Sequence, residues 1–300
     1  MKIVSLIPSA TEIVSSLGLI NNLIGVSHEC DNPEEVKKLP KLTESKLQHN
    51  QSSLDIDKDI KKILALGLSV YKVNADLLKK LSPDFVITQS QCSVCAVSFT
   101  DVEKSLQNWL GKKPTIIDLK PKNFEDVLDD LYRTGIYLNA SHEANLLIQQ
   151  IKKEITIIKD KLRNEKVKNI LCIEWLDPLM VAGNWIPDLL GISKSFGIIG
   201  KSGKHSPFIK SEEIKIENFD HVIFMPCGYD ILTTEKELRE KKYHFMSIFE
   251  NKKKFIVDGN KYFNRPSASL LESVKILCEI IHPNIFSPQP SNKRWIEFKN

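Results

Sequence analysis

Short β-branched runs alternate along the chain with stretches whose apolar residues recur every three or four positions. Lys2–Leu6 is such a run and ends at Pro8. Leu23–Val26, Phe85–Thr88 and Thr115–Leu119 read as further strands, with helical spacing over Ile56–Leu66 and Ala75–Leu81 between them. Ser9-Ala10-Thr11-Glu12 matches a capping box, in which Ser9 caps a helix and Glu12 reaches back. That helix runs through Ile13, Val14 and Leu17 and stops at Gly18, a candidate C′ glycine.

From Asn123 to Leu162 the pattern changes. There is no proline, and Gly135 is the only glycine. Apolar residues at 144, 147, 148, 151, 155, 158 and 162 form one helix face, and Phe124, Val127, Leu128 and Leu131 keep the same spacing. One helix of that length would span roughly 60 Å. Its role is a rod joining two lobes; the competing reading is two helices broken near Gly135 or Asn139. Beyond it, Asn169–Trp175, Met180–Gly183, His221–Met225 and Phe255–Asp258 read as strands and Leu270–Ile281 as a helix. The expectation is therefore an α/β protein of two lobes with mostly parallel sheets, joined by one long backbone helix. The boundaries are an N-terminal lobe over 1–120, the connecting helix over 121–165, a C-terminal lobe over 166–285 and a tail over 286–300.

Composition narrows the function classes. The chain is 42% hydrophobic and 27% charged, with a formal net charge of +4. Its lysines are dispersed, without the aromatic interleaving of a nucleic-acid surface, so no nucleic-acid partner is expected. No apolar run reaches the roughly 18 residues of a membrane span. The opening MKIVSLIPSATEIV reads as a first strand and not as a signal peptide. The chain as given reads as cytoplasmic, or as periplasmic if a leader was removed. No P-loop, G-x-G-x-x-G, H-E-x-x-H or G-x-S-x-G is present, and no catalytic residues are assigned.

In open α/β sheets ligands bind beyond the carboxyl ends of the strands. The residues that follow the expected strands are Ser9, then His28, Glu29 and Cys30, then Gln91, Cys92 and Cys95. In the second half they are Glu174 and Trp175, Trp185, Cys227 and Tyr229, and Asn264 with Arg265. Trp175 and Trp185 are expected as flat walls of a cleft between the lobes, suited to a broad ring-like ligand. Arg265 offers a bidentate clamp for a carboxylate or phosphate, or a salt bridge that holds its loop. The helix start at Ser9 offers free N–H groups to an anion, or is ordinary capping.

The chain has six cysteines. Cys172 lies inside a strand and Cys278 on a helix, so both read as packing residues. Cys30, Cys92, Cys95 and Cys227 stand at strand ends, with Cys92 and Cys95 in a single C-x-x-C. Four readings stay open for them: pocket lining, a thiolate-bound metal or Fe-S centre, ligation of a ligand's own metal, and a thiol redox role. His28 is a further candidate metal ligand or a hydrogen-bonded loop histidine.

The motifs VSLIPSATEIVSSLGL, GVSHECDNP, VITQSQCSVCAVS, CIEWLDP with VAGNWIPDL, MPCGYD and VDGNKYFNRPS resemble, in this order, the cobalamin/Fe(III)-siderophore type of ABC-transporter substrate-binding proteins. They are most similar to the branch described as cobalamin-binding. The resemblance runs from residue 2 to about 285. It implies two α/β lobes joined by a long helix, and a corrinoid or other metal chelate held in the interlobe cleft. It also implies an ABC permease as partner, a monomer, and binding without catalysis. Cobalamin would be the ligand, with no resident cofactor. The alternative is a cytoplasmic metal- or Fe-S-binding protein, or a thiol enzyme, on the same scaffold.

Overall fold

The computed structural model describes residues 1–47, 51–65, 70–90, 102, 113–215, 218–288 and 294–299. Two compact units are present. The first comprises Met1–Gln51, Asp55–Pro121 and Asp126–Gln149; the second comprises Ser52–Leu54, Lys122–Glu125 and Gln150–Asn300.

The first unit is built on four parallel strands, β1 (Ile3–Ser5), β2 (Leu23–Val26), β5 (Phe85–Gln89) and β6 (Thr115–Leu119), in the order β2-β1-β5-β6. Their continuous apolar runs fit a sheet covered on both faces. Val4, Leu6, Leu42, Leu78, Val86 and Val102 form one buried cluster against it. Helix α1 (Pro8–Ser16) starts one residue before the expected cap. Pro8 takes the first helical position, which suits its fixed φ and missing N–H, and Ile7 is the N-cap without a side-chain bond. Ser9 is therefore inside the first turn and is not the cap. Glu12 accepts a hydrogen bond from Asn32 Nδ2 at 3.1 Å in place of the expected reach back. A small antiparallel pair, β3 (Thr43–Ser45) with β4 (Tyr71–Val73), was not expected from the pattern. Helix α2 is Ser53–Ala65. Helix α3 (Ala75–Leu81) starts at Asn74, whose Oδ1 accepts from the Leu77 N–H at 3.0 Å.

The single rod expected from Asn123 to Leu162 is two helices, α4 (Phe124–Tyr137) and α5 (Ser141–Lys161). Asn139 adopts φ 56°. Ala140 N–H donates to Gly135 O at 2.7 Å and Asn139 N–H to Ile136 O at 3.2 Å. This pair of bonds is a Schellman ending with asparagine at the left-handed position. Gly135 permits the fold-back, because a Cβ there would lie 2.7 Å from the Ala144 Cβ. Apolar spacing continues through the break, which is why periodicity alone reads it as one helix. Helix α5 is the longer of the two, about 31 Å at the usual rise. The division between the units falls within it, after Gln149.

The second unit carries β7 (Lys168–Trp175), β8 (Met180–Val181), β9 (Ser195–Gly197), β10 (His221–Phe224), β11 (Lys253–Val257) and β12 (Trp295–Phe298). The order is β12-β11-β10-β7-β8, with β9 also on β7; β12 and β8 are antiparallel and the rest parallel. Leu171, Ile173, Val222, Phe224, Phe249 and Ile256 sit in its core. Helices α6 (Ile186–Ile192), α7 (Ile231–Lys241) and α8 (Leu270–Ile281) complete it. The expected tail over 286–300 contributes β12. Phe298 is buried, Trp295 Nε1 donates to Glu279 Oε2 at 3.0 Å, and Arg294 pairs with Glu272 and Glu279.

Candidate functional site

Two of the second unit's strands, β7 and β10, bring an aromatic pair to one edge of its sheet. Trp175 closes β7 and Tyr229 follows β10, with ring centroids 5.5 Å apart and planes at 59°. Trp175 is half-buried and its Nε1 donates to Asp177 O at 3.1 Å, which fixes the indole. Tyr229 is buried, and its carbonyl accepts from Asn260 N–H at 3.0 Å. Burial, and then the neighbouring Glu237 carboxylate, push the Tyr229 phenol well above its ordinary range, so the ring stays neutral.

Beside this pair, Cys227 is half-buried and its N–H donates to Glu174 O at 3.1 Å. Gly228 follows with φ 77°, a left-handed turn suited to glycine. The Glu174 carboxylate accepts from Ser206 Oγ at 2.8 Å, and Ser206 Oγ in turn accepts from Gly183 N–H at 2.9 Å. The loop after β11 is locked to the loop after β10. Asn264 Nδ2 donates to Met225 O at 3.1 Å and to Gly259 O at 2.9 Å. A Cβ on Gly259 would lie 2.3 Å from Pro226 O, so only glycine fits that approach. Asp258 caps the turn by accepting from Lys261 N–H at 2.7 Å; burial raises its carboxyl above the ordinary value.

Three expected ligand contacts serve this framework instead. Trp185 is 6% exposed and its Nε1 donates to Phe263 O at 2.9 Å, so the indole is core and not an open wall. Arg265 is 4% exposed and donates to Asn260 Oδ1 at 3.1 Å, which places it in its own loop's network and not on an open clamp. Asn264 is the tie described above. The chemistry of the residue types is as read from the sequence; burial decides which of them a ligand can reach. Glu174, Trp175 and Cys227 are partly exposed, and so is Asn264, whose amide nitrogen is taken by two carbonyls.

In the first unit, the end of β2 forms a second polar cluster. His28 Nδ1 lies 2.7 Å from Thr43 Oγ1, and Thr43 Oγ1 donates to Ser27 Oγ at 2.9 Å. The His28 and Tyr71 rings are 5.5 Å apart, and Tyr71 Oη donates to Glu29 Oε1 at 2.9 Å. Thr43 and Tyr71 come from the unexpected β3–β4 pair, so no strand-end inventory could include them. Cys30 turns inward. It is 1% exposed and its Sγ accepts from Thr11 Oγ1 at 3.1 Å. Ser9 Oγ is buried with no hydrogen-bond partner among the described residues, and so is Gln89 Oε1 at the end of β5. Gln91, Cys92 and Cys95 lie outside the described residues.

Among the described residues, no group of three or more His, Cys, Asp or Glu side chains is placed to hold a metal ion. Cys172 and Cys278 are buried, as packing residues should be. Burial raises both thiols, Cys278 to about 12. The exposed chemistry is thus an aromatic platform beside a carboxylate and a thiol in one unit, and an imidazole, phenol and carboxylate in the other.

The sequence profile described as periplasmic binding protein matches residues 3–247. An uncharacterized ABC transporter substrate-binding lipoprotein of Bacillus subtilis, YvrC, is 27% identical over 163 residues, 54% of this chain; the match spans 42% of that relative's length. The fold is similar to that of a periplasmic heme binding protein from Pseudomonas aeruginosa, with TM-score 0.71 and 15% identity over 100% of this chain and 98% of that one. It is also similar to the periplasmic vitamin B12 binding protein BtuF of Vibrio cholerae, with TM-score 0.61 and 17% identity over 96% and 98% of the two chains. At these identities the likeness is one of fold. With the profile covering most of its length, this chain belongs to the periplasmic binding protein family.

Proposed function

We propose that this chain is the substrate-binding protein of an ABC-type uptake system and that its ligand is a flat metal chelate, a corrinoid or a close relative. The observation that carries the ligand class is the Trp175–Tyr229 pair at the sheet edge. A half-exposed indole braced by a buried ring offers a stacking face for a macrocycle. Glu174 and Cys227 beside it supply a carboxylate and a soft sulfur, and His28 and Glu29 in the first unit supply further polar contacts. Family membership supports the transport role, with a membrane permease as partner and a location outside the cytoplasm. The fold neighbours that bind heme and vitamin B12 support the chelate class.

Equilibrium titration with cyanocobalamin, hydroxocobalamin, hemin and a ferric siderophore, followed by absorbance and calorimetry, tests the proposal. Saturable one-to-one binding of at least one chelate is expected. No binding of any of them up to about 100 μM, weaker than roughly −5.5 kcal/mol, overturns it.

A further inference from the structure

Beside the aromatic pair stands a buried carboxylate that the ligand reading leaves unused. Glu237 lies on α7, is 8% exposed, and belongs to the same unit as Trp175 and Tyr229. Its Oε1 accepts from Tyr243 Oη at 2.5 Å and from Ser53 N–H at 2.9 Å. Ser53 is buried, and Ser52–Leu54 is part of this unit. With the Tyr243 proton committed to Glu237, Ser53 Oγ is the donor to Tyr243 Oη at 3.0 Å. Tyr243 in turn stacks on Phe245 of the core, with centroids 5.0 Å apart and planes at 10°. Two donors thus pin one oxygen of the carboxylate. Among the described residues, no hydrogen bond reaches the other, Oε2.

The Tyr229 phenol is a neighbour of the same carboxylate, near enough for the charge to act on it. Yet Tyr229 Oη is buried with no hydrogen-bond partner among the described residues. A buried hydroxyl without a partner is costly, and a carboxylate oxygen is a strong acceptor for it. Donor and acceptor are therefore adjacent and unjoined. The Tyr229 backbone is held at both ends: its N–H donates to Pro226 O at 3.2 Å, and its carbonyl accepts from Asn260 N–H at 3.0 Å. Glu237 is pinned as well, so the Tyr229 ring is the part left to move. It leans on Trp175 at 59° and is not stacked flat against it.

We propose that the Tyr229 hydroxyl is a poised donor and that chelate binding closes its bond to Glu237. The proposal rests on the chelate reading of the Trp175 face. A macrocycle laid on that face bears on the indole and on the ring that braces it. Seating Tyr229 against Glu237 then satisfies an otherwise orphaned hydroxyl, and the bond strengthens the bound state alone. Only an interaction that differs between two states shifts the balance between them. Tyr229 is thus a positioning residue: its ring supports Trp175, and its hydroxyl couples occupancy of the face to Glu237.

The test is a double-mutant cycle on affinity for the four chelates named above, with Tyr229→Phe and Glu237→Gln in the full chain. Phenylalanine keeps the ring and its packing and removes only the hydroxyl. Tyr229→Phe should weaken the chelate that binds by about tenfold, the value of one hydrogen bond to a charged group. Glu237→Gln keeps an acceptor for Ser53 and Tyr243. It should weaken binding by a similar factor alone, and by less than about twofold when Tyr229 is already phenylalanine, because two partners in one bond are not additive.

The melting curve without chelate separates this coupling from a structural role. Tyr229→Phe should melt no lower than wild type, since it removes an orphaned hydroxyl. A melting point more than about 2 °C below wild type overturns the proposal, because the hydroxyl would then already be bonded. Equal chelate affinity of Tyr229→Phe and wild type overturns it, as do additive losses in the double variant. If none of the four chelates binds wild type, the chelate reading falls and the coupling falls with it. If one binds and Tyr229→Phe binds it equally well, the coupling alone falls.

Discussion

Replacing Gly259 by alanine tests how the aromatic edge is held together. The added Cβ would lie 2.3 Å from Pro226 O and 2.7 Å from Met225 C and O. These are backbone atoms and cannot rotate aside, so the loop after β11 must move away from the loop after β10. Overpacking of this kind costs about 1–3 kcal/mol. The movement also strains Asn264 Nδ2 to Met225 O, at 3.1 Å, a bond worth about 1 kcal/mol. The sum is about 2–4 kcal/mol, or a fall in melting temperature of roughly 4–16 °C for a body of about 150–250 residues. Gly191 provides the opposite sign. It lies in α6, has open space where its Cβ would stand, and is exposed, so Gly191→Ala should raise stability by about 0.4–1 kcal/mol. The assay is differential scanning calorimetry of wild type and both variants, with Trp fluorescence reporting the Trp175 environment. A Gly259→Ala melting point within about 1 °C of wild type, with an unchanged emission spectrum, refutes the reasoning about this contact.

Three further outcomes follow from burial and charge. Tyr229 and Tyr243 have phenols raised above the ordinary value, by burial first in each case. Of the chain's six tyrosines, these two should not ionise near pH 10 in absorbance titration of the folded protein. Because the folded state keeps these protons longer than the unfolded chain, their contribution is complete below about pH 10 and stability falls as pH rises above it; Tyr243→Phe should flatten that decline in alkaline denaturation. Asp258 also has a raised carboxyl, chiefly from burial, so its ionisation favours unfolding as pH rises above about 4. Asp258→Asn keeps the cap to Lys261 N–H and should match or exceed wild-type stability at pH 7, with the difference vanishing below about pH 3.5. Urea curves at the two pH values check it, and a loss of about 1 kcal/mol or more at pH 7 contradicts it. Brief iodoacetamide treatment with peptide mass mapping should label Cys227 and leave Cys30, Cys172 and Cys278 untouched in the native state, because the first is half-buried and the others are buried. Labelling of Cys172 before Cys227 would contradict the assignment.

Strands β1, β2, β5, β6, β7, β10 and β11 were legible because each is a short apolar run with β-branched residues; Ala75–Leu81 matched its expected bounds where the Asn74 cap and periodicity agreed, and Leu270–Ile281 matched on periodicity alone. The misses have physical causes. Pro8 overrode the capping-box pattern by taking the first helical position, which carried Ser9 into the turn. Asn139 in the left-handed region ended a helix whose apolar face ran on unchanged. Helix α7 was missed because it is mostly polar, although Asp230, which caps it by accepting from Thr233 N–H at 2.7 Å, was already visible in MPCGYD. Trp295 and Phe298 were hidden in a stretch of prolines, asparagines and serines. Residue identity pointed to the strand ends where Trp175 and Tyr229 meet, but burial separates Trp175 from Trp185. Two tryptophans at strand ends look alike in sequence, and each indole N–H finds a carbonyl, that of Asp177 for Trp175 and that of Phe263 for Trp185; of the two, only Trp185 is buried.

The stacking face is the centre of the functional account, and Trp175 is the residue to change. For whichever chelate binds wild type most tightly, the dissociation constant should be measured for wild type, Trp175→Phe and Trp175→Ala. Loss of the aromatic contact and its buried area predicts a weakening of about tenfold or more for alanine, with phenylalanine retaining most of the affinity. An alanine variant that binds as tightly as wild type, while its melting curve is unchanged, would contradict the account.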